Sequence, residues 1–156
     1  MTILTIASQA VLILTAMVLF YVALTDLRYF KIHNEFILVL IGLFSLHAFL
    51  SGRWTTLHWN LGFAALMFLI MFYFYSLKMM GGGDLKLLTA AFLWVGPFFA
   101  MPFALLLLGF VCVHILAIKL KFVEAHVASD KKWLPFAPSI SAALISIFMA
   151  GYLQSV

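Results

Sequence analysis

Apolar residues run along this chain in six stretches separated by short polar breaks, at residues 3–25, 36–50, 57–77, 85–95, 98–118 and 134–153. A helix needs about 20 apolar residues to cross a hydrocarbon core of about 30 Å, so the pattern predicts about six transmembrane helices. The fourth and fifth stretches need a turn between them. Read as one helix, residues 86–119 would extend about 51 Å, well beyond that core. Gly96 and Pro97, with Pro102 close behind, supply the break for a helical hairpin, at the cost of a short fourth span.

Composition agrees with this reading and narrows the class. Of 156 residues, 67% are hydrophobic and 9% charged, with a mean hydropathy of +1.20, too few polar groups to clothe a water-soluble fold. The expected fold is therefore an all-α membrane protein, a bundle of six transmembrane helices forming a single domain over residues 1–156. With six spans the loops alternate sides. One side then receives Arg28, Lys31, Lys78, Lys86, Lys119, Lys121, Lys131 and Lys132, and the other only Arg53. Cytoplasmic loops are the ones enriched in Lys and Arg, so both termini are expected outside the cytoplasm and the Gly52-Arg53 loop with them. Trp54, Trp59 and Trp133 fall near predicted span ends, where indoles favour the headgroup region. The net charge of +4 is read as orienting spans, and a nucleic-acid partner is set aside. No Lys or Arg precedes Arg28, so the first stretch is expected to be a membrane span rather than a cleaved signal. The lone Cys112 forms no internal disulfide or paired-cysteine zinc site.

The five carboxylates carry the candidate chemistry. Glu124 and Asp130 lie among the lysines of the last loop, and Glu35 begins a helix, where negative charge complements the dipole. Asp26 and Asp84 each abut the end of a long apolar run, where hydration is incomplete and an acidic residue is a functional suspect. Taken singly, Asp84 can cap its helix and Asp26 can pair with Arg28. The predicted topology instead brings both to the cytoplasmic interface. If the first and fourth helices are neighbours, the two carboxyls can share one proton and titrate as a unit. Such a pair hydrolyses an amide without a metal, one member activating water while the other polarises the carbonyl.

Asp84 follows three glycines in Gly81-Gly82-Gly83-Asp84-Leu85-Lys86-Leu87. Bare backbone there suits either a flexible turn or the close approach of another chain. Gly81-x-Gly83-Asp84 resembles the G-x-G-D motif of intramembrane aspartic peptidases, above all the type IV prepilin peptidases. Thr25-Asp26-Leu27-Arg28, followed by Ile32-His33-Asn34, is similar to that family's first motif, with His33 where proline is usual. Leu134-Pro135-Phe136-Ala137-Pro138-Ser139-Ile140 resembles the opening of the family's last helix, and a proline-defined helix start is the role expected for it.

The resemblance implies Asp26 and Asp84 as the catalytic pair, with Gly81 and Gly83 shaping the site. It implies a substrate too: a prepilin-like precursor whose short basic leader is cut at the cytoplasmic membrane face, just before its apolar helix. Longer members that also methylate the new N-terminus carry an added cytoplasmic domain. This sequence is similar to the short, peptidase-only members of tight-adherence (Flp) pilus systems in the bacterial inner membrane, with lipid as its surroundings. No cofactor and no metal are expected, since His33, His47, His58, His114 and His126 show no compact ligand spacing. Lys86 is expected to snorkel to the interface and Asn34 to cap the second helix. Two other classes compete: a small proton- or cation-coupled transporter using the aspartates as a relay, and an inactive scaffold of a secretion complex. A relay wants polar groups through the bilayer, whereas these carboxylates gather at one face.

Overall fold

The computed structural model describes residues 3–29, 31–52, 54–120 and 136–151. Six helices form there: α1 (Ile3–Tyr29), α2 (Asn34–Ser51), α3 (Trp54–Ser76), α4 (Gly82–Val95), α5 (Ala100–Lys119) and α6 (Ala137–Met149). Each predicted apolar stretch becomes one of them. Arg53, the loop residues Lys121, Glu124, His126, Asp130, Lys131, Lys132 and Trp133, and the Leu134-Pro135 start of the third motif lie outside the described residues.

Helix ends follow local chemistry. Gly52 closes α2 in the left-handed conformation at φ 66°, its N–H reaching the carbonyls of Ala48 and Phe49. Gly96 closes α4 at φ 65°, its N–H bonded to the Phe92 carbonyl. Pro102 sits within the first turn of α5, where the missing N–H costs no helical bond. The expected break therefore falls at Gly96 and the residues just after it. The two helices it joins do not form a closely packed hairpin: α5 rests mainly on α6 and only lightly on α4.

Four helices are long and apolar enough to cross a membrane, at Leu4–Tyr29, Asn34–Ser51, Thr56–Ser76 and Ala100–Ala117. α4, with 14 residues, and α6, with 13, span only about 20 Å and fall short of a full hydrocarbon core. Protein rather than lipid surrounds much of both. α4 buries Leu85, Leu87, Leu88 and every residue from Ala90 to Val95. α2 and α6 each pack against both α1 and α4, α3 lies along the outside of α4, and α5 lies against α6. The outer helices present Leu66, Leu69, Tyr73, Leu105, Leu108 and Val113 to the surroundings, an apolar exterior that suits lipid.

Trp94 sits at the centre. Its indole is 1% exposed, its Nε1–H donates to the Leu40 carbonyl at 3.1 Å, and Phe44, His47 and Phe148 pack around it with ring centroids 5.3–5.6 Å away. Two residues before the end of α4, the Leu93 carbonyl accepts a bond from Asn60 Nδ2 of α3 at 3.2 Å. The same amide presses against Gly96, where an added Cβ would run into Asn60 Oδ1. Gly96→Ala combines that clash with a positive φ. It should cost roughly 2–4 kcal/mol by strain and overpacking together, read as a lowered unfolding midpoint in detergent, and Asn60→Ala introduced beside it should recover part of the loss.

Candidate active site

Asp26 lies three residues before the end of α1 and is 5% exposed. A carboxylate so buried needs a donor, and the donor is main chain: the Ala137 N–H reaches Asp26 Oδ2 at 3.2 Å, across 111 residues of sequence. Ala137 is the first residue of α6, so its N–H has no partner within the helix and the positive end of the helix dipole faces the carboxylate. Phe136 in the cap position and Pro138 in the first turn set this helix start. The third motif thus supplies a backbone donor to the first. The alternative pairing with Arg28 is not made among the described residues, because positions two apart on a helix point about 200° from one another.

Asp84 stands one residue ahead of the apolar run 85–95, in the first turn of α4. The N-cap of that helix is Gly81, with no side-chain cap, so Asp84 is not a capping residue. Its carboxylate folds back over the glycines: a Cβ on Gly81 would lie 3.0 Å from Asp84 Oδ2. A Cβ on Gly83 would lie 3.2 Å from Ile32 Cβ, and one on Gly82 would meet the Tyr75 ring at 3.3 Å. The bare segment is therefore a close-approach surface, with Ile32 of the α1–α2 connection packed where a side chain would have stood. Burial, and then the negative charge of Asp26, push the Asp84 carboxyl up from 3.8 to about 7. The two acids feel one another although α1 and α4 share no broad packed face: α2 and α6 hold them in register.

Nearby residues depart in part from expectation. Asn34 is the first residue of α2 rather than its cap, and its Oδ1 accepts a 2.9 Å bond from Lys86 Nζ across 52 residues. The cap position belongs to His33, at φ −78° and ψ 139°, backbone that proline also adopts, so a histidine where proline is usual requires no other backbone conformation there. His33 sets its imidazole edge-on to Phe36, with centroids 6.2 Å apart. No group of three or more metal-ligating side chains gathers among the described residues. A backbone donor such as the Ala137 N–H leaves no residue signature in the sequence. Ser141 lies about one helical turn along α6 from Ala137. The Ser141 hydroxyl is buried without a partner among the described residues, whereas Ser146 of the same helix bonds back to the Ala142 carbonyl at 2.8 Å.

Two carboxyls that sense each other's charge, one held by a backbone donor and one partly buried beside bare glycines, can share a proton and serve as an acid and a base together. The model of the type IV leader peptidase family matches residues 13–118, which include both aspartates and the glycine segment. No curated protein and no solved structure matches the chain.

Because the Asp84 carboxyl binds its proton more tightly in the folded protein than in the unfolded chain, its contribution to stability is full below about pH 4 and is lost as the pH climbs towards about 7. In unfolding scans in detergent, wild type should lose stability relative to Asp84→Asn across that window. Parallel curves would contradict the raised value.

Proposed function

The chain belongs to the type IV leader peptidase family, and from that membership we propose that it is a membrane aspartic endopeptidase that removes the leader from Flp-type prepilin precursors at the cytoplasmic face of the bacterial inner membrane. The observation that carries the reading is the coupling of Asp84 to Asp26, two acids from opposite halves of the chain that sense one another at one end of the bundle. In this mechanism Asp84 carries the shared proton and Asp26 the charge. Asp26, steadied by the Ala137 N–H, takes a proton from the attacking water. Asp84 gives its proton to the scissile carbonyl oxygen as the water oxygen bonds to carbon. Collapse of the tetrahedral adduct breaks the C–N bond. The proton held by Asp26 passes to the leaving amine, and the adduct hydroxyl returns its proton to Asp84. Gly81 and Gly83 shape the site, Gly81 letting the Asp84 carboxyl fold back over it and Gly83 admitting Ile32 beside it. All of residues 1–156 form one peptidase domain with six spans, α4 and α6 being short because protein covers them, and with both termini outside the cytoplasm. A transporter relay draws no support from the described helices, whose acids and lysines gather near helix ends.

Cleavage of a leader-bearing precursor by the detergent-purified protein should fall on the order of 10²–10⁴-fold in Asp26→Asn and in Asp84→Asn. Undiminished cleavage in both would remove the dyad assignment. Independently, reporters fused after Leu77 and after Lys132 should both read cytoplasm, and an external signal from either would break the six-span topology.

A further inference from the structure

α2 and α3 touch each other only slightly while α3 packs closely along α4, and the space between them is an open apolar groove of about 560 Å³. Its floor is the stripe Lys86, Thr89, Ala90 and Leu93, one face of α4 at helical spacing, and Ile41 and Phe68 stand in its walls. Lys86 lines one end and is exposed. Its ammonium gives one bond to Asn34 Oδ1, has further donors free in number, and pairs with no carboxylate among the described residues.

We propose that this groove binds one anionic phospholipid, with an acyl chain lying between α2 and α3 on α4 and the headgroup phosphate meeting Lys86. Three observations select this occupant. The volume falls within the roughly 300–1,000 Å³ of sites for one small molecule. The groove also lies on the far side of α4 from the candidate active site, since Asp84 precedes Lys86 by two residues, about 200° around the helix. A precursor helix seated there would be turned away from the carboxyls. Finally, a cation at the end of an apolar channel near the headgroup level complements a phosphate, the pairing that draws basic pockets between helices to anionic lipids.

The test is lipid retention by the purified chain under native mass spectrometry, comparing phosphatidylglycerol with phosphatidylcholine of the same acyl chains, and glycerol phosphate as the headgroup alone. Phosphatidylglycerol should be retained about fivefold more tightly, the advantage of one basic side chain at such a surface. Glycerol phosphate should not compete at equal concentration. Lys86→Gln should erase the preference, Lys86→Arg should keep it, and Ala65→Trp, which fills the groove, should release both lipids. Equal retention of the two lipids by wild type, or a preference that survives Lys86→Gln, overturns the proposal. So does a photocrosslinker at Leu69 that captures a precursor helix in place of lipid.

Discussion

A buried carboxylate must be given a hydrogen bond or it will not be tolerated, and in this chain one main-chain donor meets that need. The bond from the Ala137 N–H to Asp26 joins the end of the first helix to the start of the last. It fixes where α6 begins relative to α1 and turns the unsatisfied end of one helix towards the charge on another. With α1 and α6 joined in this way, α2 and α6 together hold α4, and Asp84 is brought within electrostatic reach of Asp26.

The second constraint is the burial of α4. A short helix walled by protein does not need to match the thickness of a bilayer, but its own polar groups and any ring within it must find partners. Trp94 bonds the Leu40 carbonyl, Asn60 bonds the Leu93 carbonyl, and Gly96 gives way to Asn60. At the opposite end Lys86 reaches Asn34 and Gly83 admits Ile32. The helix bearing Asp84 is thus gripped at both ends by α2, α3 and the α1–α2 connection, which keeps the Asp84 carboxyl in place among few polar neighbours.

Much of this was legible in the residues themselves. The six apolar stretches located six helices because hydrophobic length is a local property, and Asp26 and Asp84 stood out because acids are rare beside such stretches. Pairings set by tertiary approach were not legible. Asn34 looked like a cap because caps are a local habit, and only the arrival of Lys86 from 52 residues away gives its oxygen a different partner. Nothing in the residues around Trp94 marks its partner, because the carbonyl it serves belongs to another helix. The neighbour relation imagined between the first and fourth helices proved indirect, mediated by two others, since loop order does not dictate which faces meet.

The donor to Asp26 has one more consequence. Because it belongs to the peptide group, the genetic code can hardly touch it: glycine or serine at position 137 would present the same N–H, and only proline abolishes the donor outright. Comparing side chains among relatives would therefore register the small, fully buried methyl at position 137 and say nothing of the donor beside it. Its contribution would surface in amide exchange or in the phenotype of a single imino acid, while the pattern of letters stays silent.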